Sequence, residues 1–249
     1  MAGKRAAGLE GTGAGAPGLC YAIGDVHGRL DCLEALIGRI LDDAAVHATT
    51  ARPLLVTLGD YVDRGPDSAG VIDRLMAGIE GFDLVCLKGN HEAMFLEAMS
   101  GEAPLAWATW LRNGGAATLC SYGAPMSWTA PGPDWFRSHV PHTHQKWLRE
   151  RPLHHRVGEL LFVHAGVRPG VPLEAQSEED LLWIRKTFYQ NPDTLGLRVV
   201  HGHTPNEIPE IHPYRINLDT LAYATGVLSC AVLDPARPFD TPRLLQTAL

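Results

Sequence analysis

A short apolar run that ends in polar residues recurs five times along this chain of 249 residues. The runs occupy residues 19–23, 54–58, 84–87, 160–163 and 199–200. Such runs, rich in Val, Ile and Leu, are typical of strands buried on both faces. Each one leads directly into a cluster of Asp, Asn, His or Gly residues. The pattern therefore predicts a sheet whose strand ends carry the chemistry.

Helical patterns follow the first three runs. One helical face would hold Leu30, Leu33, Leu36, Ile37, Ile40 and Leu41, and a second would hold Val71, Ile72 and Leu75. Strands that alternate with helices are the signature of an α/β fold with helices covering a sheet. Ligands of such sheets bind beyond the carboxyl ends of the strands. We therefore expect the five polar clusters to converge there.

Three further segments do not follow this alternation of strands and helices. Residues 1–18 hold six glycines and almost no large apolar side chain, which predicts a disordered tail. Residues 101–150 hold five tryptophans and predict a helical and loop insertion within a catalytic domain of residues 19–249, with His139, His142 and His144 in a solvated loop. The β-rich residues 215–218, 227–233 and 243–246 predict a second sheet or the far half of a β-sandwich.

Composition excludes several classes of partner. The net charge is −7, so the chain lacks the basic character that a sequence-independent nucleic-acid binder needs. No run of 18 apolar residues predicts a membrane span, and no signal peptide is expected. Five widely spaced cysteines indicate reduced core residues rather than a disulfide framework, which predicts a cytoplasmic protein. Oligomeric state is not visible in the sequence.

The polar clusters offer a mixed set of metal-binding side chains. They are two carboxylates, three imidazoles and one amide: Asp25, His27, Asp60, Asn90, His164 and His203. Six ligands are too many for one hydrolytic metal that keeps a position open for water, but they suit two metals that share a carboxylate. Oxygen and nitrogen ligands without thiolate predict two divalent ions, Mn²⁺ above all, although Fe or Zn would also fit.

Three motifs carry a family resemblance. They are Gly24-Asp25-Val26-His27-Gly28, Gly59-Asp60-Tyr61-Val62-Asp63-Arg64-Gly65 and Gly89-Asn90-His91-Glu92, in that order. The chain resembles the PPP-type serine/threonine protein phosphatases of the calcineurin-like metallophosphoesterase superfamily, in particular the compact bacterial members. His164-Ala165-Gly166 and Gly202-His203-Thr204 extend the resemblance over residues 19–220. It implies a four-layer α/β/β/α sandwich with a dinuclear metal site at the carboxyl ends of the strands.

The resemblance also implies a role for each residue. Asp25, His27 and Asp60 would hold the first metal, and Asp60 would bridge to a second metal completed by Asn90, His164 and His203. His91 would be the general acid, oriented by Asp63. Arg64 would bind the phosphate, and Arg185 resembles a second phosphate-binding arginine. A metal-bridging hydroxide would attack phosphorus directly, so that no nucleophilic side chain is needed.

The implied function is a metal-dependent serine/threonine protein phosphatase acting on a phosphorylated protein or small phosphoester. The strongest rival function is a symmetrical dinucleoside tetraphosphatase on the same scaffold. Protein phosphatases favour Glu at position 92, as here, whereas the tetraphosphatases tend to have Asp there, and they less often have the Tyr-Val-Asp-Arg sequence seen here at 61–64. The motifs are also compatible with a non-catalytic phosphoprotein-binding module and with a general phosphomonoesterase.

Overall fold

A computed structural model describes residues 9–10, 18–103, 105–125, 132–191 and 194–247. Most of the predicted tail, residues 1–18, lies outside these ranges and stays a prediction. Within it, residues 9 and 10 pair with strand β5 (His154–Val157). None of the described helices has the length and hydropathy that a bilayer crossing requires.

The first sheet has five strands, and its centre comes from the first three apolar runs. Strands β2 (Cys20–Ile23), β3 (Leu54–Thr57) and β4 (Asp83–Cys86) are parallel neighbours. Strand β10 (Ser229–Leu233) pairs antiparallel with β2 on one side and with β11 (Arg243–Gln246) on the other. The polar clusters after β2, β3 and β4 therefore leave the sheet at one edge.

The second sheet has six strands. Their bounds are β1 Leu9–Glu10, β5 His154–Val157, β6 Leu160–Val163, β7 Arg198–His201, β8 Glu210–Ile211 and β9 Arg215–Asn217. They lie in the order β1-β5-β6-β7-β9-β8, and β6, β7 and β9 are parallel. The prediction that the three C-terminal β-rich segments form a second sheet or the far half of a sandwich is correct for β9, which joins the second sheet, but wrong for β10 and β11, which complete the first.

The two sheets pack face to face through a buried apolar layer. Ala22, Val56 and Ala231 of the first sheet and Phe162 and Val200 of the second belong to this layer, and all five are fully buried. Because successive strand residues point to opposite faces, the alternate residues of β2 and β6 face outward onto helices. The runs are continuously apolar because both of their faces are covered.

Helices cover the outer faces of both sheets. Helices α1 (Leu30–Val46), α2 (Ser68–Met76) and α3 (Asn90–Ser100) pack on the first sheet, and α8 (Glu178–Trp183) and α9 (Lys186–Tyr189) on the second. The predicted four-layer α/β/β/α order is confirmed. Helix α1 presents Cys32, Leu33, Leu36, Ile37 and Ile40 to the core. Leu41 is 42% exposed, so its predicted place on the buried face is wrong.

The segment 101–150 is helical in its described part. It contains α4 (Ala106–Trp110), a π-helical turn (Leu111–Gly115), α5 (Ala116–Ser121), α6 (Pro133–His139) and α7 (His142–Arg149). Trp128 lies outside the described residues. The histidines lie on α6 and α7 rather than in a loop, but His139 and His142 are exposed, as predicted. His144 is buried and hydrogen-bonds Tyr122 Oη and Asp73 Oδ1, both at 2.9 Å. A short helix, α10 (Ala222–Thr225), precedes β10.

Replacing Phe162 with Ala tests the packing of the sheets. The ring is fully buried between them, so Phe162→Ala should lower the free energy of unfolding by about 3–5 kcal/mol. The matched control is Phe239→Ala, whose ring is 49% exposed and whose loss should change stability by no more than about 0.5 kcal/mol. Urea denaturation measures both, and equal effects would contradict the described core.

Candidate active site

Five loops meet at the carboxyl ends of β2, β3, β4, β6 and β7. The backbone N–H groups of Val26 and His27 both donate to the carbonyl of Asp60, at 3.1 and 2.7 Å. The N–H of His91 donates to Asp60 Oδ1 at 3.0 Å. Across the sheets, the N–H of His203 donates to Asp25 Oδ2 at 3.0 Å. The structure thus brings together the loops that the sequence places up to 178 residues apart.

The Asp60 carboxylate lies at the centre of the cluster. Its Oδ2 is 3.4 Å from His27 Nε2, and its Oδ1 is 3.4 Å from His164 Nε2. The side chain is 3% exposed, and the residue has a positive φ of 53°. Each carboxylate oxygen therefore faces a different imidazole, which is the arrangement that a carboxylate shared by two cations requires.

Asn90 lies between His164 and His203. Its Oδ1 lies 2.8 Å from both His164 Nε2 and His203 Nδ1. Asn90 begins helix α3, and both histidines follow strands of the other sheet. One amide oxygen of the first sheet therefore contacts two imidazoles of the second.

The ligand atoms form two overlapping groups that share Asp60. One group is Asp25, Asp60 and His164, and the other is His27, Asp60 and His91; within each group the ligand atoms lie within 4.8 Å of one another. This division differs from the expected one, which places Asp25 with His27. All six expected ligands are nevertheless buried in one cluster.

Hydrogen bonds fix which ring nitrogens face the cluster. His27 Nδ1 donates to the carbonyl of Val62, and His164 Nδ1 donates to the carbonyl of Leu58, each at 2.9 Å. Burial lowers the pKa of His27 to about 3, so its ring is neutral and Nε2 carries a lone pair. A histidine that donates one nitrogen to a backbone carbonyl and turns the other inward is typical of metal sites.

Negative charge is concentrated among these residues. Burial, and then the charges of Asp219 and Asp60, raise the pKa of Asp25 well above its usual value. Asp25 Oδ1 is buried and has no hydrogen-bond partner among the described residues. Buried carboxylates are normally paired or coordinated to metal. The unpartnered oxygen, the crowded charges and the inward imidazoles together fit divalent cations.

Glycine at position 202 makes room for Asp25. A Cβ atom there would lie 1.9 Å from Asp25 Oδ1, so no other residue fits without displacement. Gly202 separates His201 from His203. His201 ends β7, is buried, and packs against Phe188 at 5.1 Å between ring centroids, so it lies outside the cluster.

His91 and Asp63 form a buried pair beside the cluster. His91 Nδ1 lies 2.7 Å from Asp63 Oδ2, and both side chains are at most 2% exposed. Burial alone would lower the pKa of His91, but the charge of Asp60 and the hydrogen bond to Asp63 raise it above its usual value. A histidine of this kind can carry a proton toward a reacting group.

Both predicted arginines reach the cluster. Arg64 donates from Nη1 to His27 Nε2 at 2.9 Å, and its Nη2 lies 3.0 Å from His91 Nε2. Arg185, between α8 and α9, donates from Nε to His203 Nε2 at 3.2 Å. Two guanidinium groups beside clustered metal-binding side chains suit an anionic, phosphate-containing ligand.

Sequence reasoning missed three neighbours of the site. Asp219 is 2% exposed and follows β9, where the pattern of an apolar run ending in polar residues could have identified it. Trp183 lies against His203 with ring centroids 6.1 Å apart, and Tyr223 lies 4.9 Å from the guanidinium of Arg64. No local pattern distinguishes these two aromatic residues from those of the core.

Glu92 holds the Asp60 loop through hydrogen bonds to its backbone. Its Oε2 accepts from the N–H groups of Gly89 and Asp60, each at 2.8 Å, and its Oε1 accepts from that of Tyr61 at 2.7 Å. The residue is fully buried. Glu92 therefore contacts backbone and not the open side of the cluster.

The chain is similar to known proteins in sequence and in fold. The family model named calcineurin-like phosphoesterase matches residues 20–227. A solved structure described as a "putative diadenosine tetraphosphatase" superposes with a TM-score of 0.63 at 22% identity, covering 97% of each chain. This last likeness concerns the fold.

Two curated relatives differ in their stated activity. The chain is 34% identical over 193 residues to the symmetrical bis(5'-nucleosyl)-tetraphosphatase of Acidovorax sp. (strain JS42), a match that covers 75% of this chain and 57% of that protein. It is also 34% identical over 95 residues to serine/threonine-protein phosphatase 1 of Salmonella typhimurium, covering 38% of each. The chain thus spans little more than half the length of the first of these relatives.

Replacing Glu92 with Gln tests the support of the Asp60 loop. The amide can accept with only one oxygen and would turn an NH₂ group toward backbone N–H donors. We expect Glu92→Gln to lower the free energy of unfolding by about 1–3 kcal/mol for each donor left without a partner. Glu97→Gln, on the exposed face of the same helix, is the control and should be near neutral. Urea denaturation compares them; equal stability of the two variants would contradict the role of Glu92.

Proposed function

The chain belongs to the calcineurin-like phosphoesterase family, and we propose that it is a metal-dependent hydrolase that cleaves a dinucleoside tetraphosphate symmetrically. The observation that carries the hydrolase assignment is the convergence of six side chains able to bind metal, with Asp60 at their centre and the His91–Asp63 pair beside them. The choice of substrate rests on the relatives and on the side chains that surround the site.

The cofactor would be a pair of divalent cations. Asp25, His27, Asp60, Asn90, His164 and His203 would hold them, and this oxygen and nitrogen set suits Mn²⁺, with Fe or Zn also fitting. Two such ions, when bound, supply Lewis-acid activation of water and of the phosphoryl oxygens.

Four other side chains would bind the substrate or help to donate a proton to its leaving group. Arg64 and Arg185, which contact opposite histidines of the cluster, would bind phosphoryl oxygens and stabilise the charge that grows on them. His91 Nε2 would donate a proton to the leaving oxygen. Asp63 accepts a hydrogen bond from His91 Nδ1 at 2.7 Å. This bond would keep His91 Nε2 directed at the leaving oxygen of the substrate.

The extent of the matches favours a dinucleotide over a phosphoprotein. The symmetrical tetraphosphatase relative matches 75% of this chain, whereas the protein phosphatase relative matches 38%. Glu92, one of the two sequence features behind the expectation of a protein phosphatase, is buried, and its described hydrogen bonds all come from backbone N–H groups. A residue that cannot touch the substrate gives no physical reason to choose between the two.

Aromatic side chains beside the site suit nucleobases. Trp183, on the His203 side, is 42% exposed. Tyr223, on the His27 side, is half-buried with its ring 5.5 Å from that of His27. Bases stack on exposed aromatic rings whatever their sequence. A substrate with a nucleoside at each end of a phosphate chain could use both rings.

One observation favours a protein phosphatase as the second candidate. The His91–Asp63 pair would act as a proton donor, and proton donation matters most when the leaving group is a poor one, such as a serine alkoxide. A nucleoside diphosphate leaves more readily and depends on a proton donor less. The two candidates therefore differ in how much the reaction should need His91.

A direct comparison of substrates tests the proposal. We expect a higher kcat/KM for diadenosine tetraphosphate than for a phosphothreonine peptide, both assayed with Mn²⁺, because the dinucleotide can use the aromatic rings as well as the arginines. ADP should be the nucleotide product, since symmetrical cleavage gives two equal halves. Faster hydrolysis of the peptide would favour the second candidate, and release of ATP with AMP would contradict symmetrical cleavage.

Metal content tests the proposed centre independently of activity. Asp60→Asn keeps the shape of the side chain but removes its charge, so the number of Mn²⁺ ions retained after dialysis should fall from about two to one or fewer. Elemental analysis by mass spectrometry measures this. The control is Asp42→Asn on the exposed face of helix α1, which should retain as much metal as the unaltered protein. Unchanged metal content in Asp60→Asn would rule out its shared position.

A further inference from the structure

We infer that Trp110 and Thr118, both from the segment 101–150, are positioning residues that hold the Asp63 carboxylate against His91 for proton donation. This inference rests on the part of the proposed function in which His91 is the proton donor. It does not depend on whether the substrate is a dinucleotide or a phosphoprotein.

The Asp63 carboxylate is surrounded by donors. His91 Nδ1 donates to Oδ2 at 2.7 Å, and Thr118 Oγ1 donates to Oδ1 at 2.7 Å. Trp110 Nε1 lies between the two oxygens, 2.9 Å from Oδ1 and 3.0 Å from Oδ2. Asp63 is 0% exposed, so protein groups rather than bulk water satisfy it. Of these three donors, two come from the segment 101–150.

The direction of each hydrogen bond follows from the single proton of a hydroxyl group. Because Thr118 donates to Asp63 Oδ1, its oxygen can only accept from its other neighbours. It accepts from the backbone N–H of Asp63 at 2.8 Å and from Ser68 Oγ at 3.0 Å. Thr118 therefore contacts Asp63 twice, once at the carboxylate and once at the backbone.

The backbone at this point also needs support. Asp63 and Arg64 have φ values of 72° and 70°, a conformation that is unfavourable for residues with a side chain. The N–H of Arg64 donates to the carbonyl of Gly114 at 3.2 Å. A Cβ at Gly114 would lie 2.8 Å from Arg64 Cγ, so the segment 101–150 fits closely against both strained residues.

An aromatic cluster fixes the Trp110 indole. The ring is 0% exposed and stacks on Phe136 with centroids 4.8 Å apart, and Phe95 contacts it edge-on at 5.9 Å. Trp107 packs at 5.2 Å from the indole and has no hydrogen bond to Asp63 among the described contacts. The indole N–H therefore keeps one direction, toward Asp63.

These contacts determine which carboxylate oxygen is available to His91. Thr118 occupies Oδ1, and Trp110 prevents rotation about the Cβ–Cγ bond. Oδ2 is then held at His91 Nδ1, which keeps Nε2 directed toward the cluster. If either donor is lost, Asp63 can rotate and His91 loses its fixed orientation. The rate should suffer most when the leaving group needs a proton.

The test compares leaving groups in matched variants. Thr118→Val keeps the shape and removes the hydroxyl, and Thr118→Ser restores the hydroxyl; Trp110→Phe removes the N–H, and Trp107→Phe is its control in the same cluster. Each is assayed with 4-nitrophenyl phosphate, whose leaving group is good, and with an alkyl phosphate, whose leaving group is poor. Thermal unfolding verifies that each variant is folded.

We expect Thr118→Val and Trp110→Phe to lower kcat for the alkyl phosphate by about tenfold or more, a part of the roughly 10²–10⁴ that general acids contribute, and to change kcat for 4-nitrophenyl phosphate much less. KM should stay near that of the unaltered protein. Thr118→Ser should recover kcat for the alkyl phosphate, and Trp107→Phe should leave kcat for both substrates unchanged.

His91→Asn separates the two ways of failing. If it lowers both rates equally, His91 is not the proton donor, and the proposed mechanism fails together with this inference. If His91→Asn affects the alkyl phosphate selectively while Thr118→Val and Trp110→Phe lower both rates equally, or neither, the mechanism stands and the positioning role is overturned. Failure of Trp110→Phe to fold leaves Thr118→Val and Thr118→Ser to decide.

Discussion

The burial of the Asp60 carboxylate is the constraint on which the site depends. Its oxygens face His27 and His164, which come from different sheets, at 3.4 Å each. Its backbone carbonyl accepts from Val26 and His27, and its N–H donates to Glu92. A charge buried at this point requires opposite charge nearby, because removing a carboxylate from water is costly. The two arginines, His91, whose pKa is raised, and the divalent cations proposed here meet that requirement.

Backbone strain is concentrated at the same place. Among the described residues, seven besides glycine have positive φ, and five of them belong to the candidate site: His27, Asp60, Asp63, Arg64 and His203. Such conformations persist only where the surroundings determine them. Hydrogen bonds supply this support. Glu92 accepts from the backbone of Asp60, and Trp110, Gly114 and Thr118 bind Asp63 and Arg64. Stability of the core is thus used to hold reactive groups in positions that they would not adopt alone.

The segment 101–150 connects the fold to the chemistry. Its aromatic residues complete the core beside helix α3, and two of its polar groups end on Asp63. Under the proposed function, substrate selection would belong to a different part of the site, where Trp183 lies beside His203 and Tyr223 beside Arg64. The same proton donor and the same ligand cluster would then serve a phosphoanhydride or a phosphomonoester, and the flanking residues would decide between them.

Residue order alone predicted the α/β class and the convergence of five loops, because apolar runs buried on both faces and polar residues at strand ends are local patterns. It also indicated Asp25, His27, Asp60, Asn90, His164 and His203 as a set. Four features became visible only in the folded chain: β10 and β11 join the first sheet, Glu92 faces backbone, Asp219 lies beside Asp25, and Trp110 and Thr118 contact Asp63. These contacts join residues distant along the chain through side chains whose direction no local pattern encodes. Periodicity tells which face of a strand or helix is buried, but packing alone decides what that face meets.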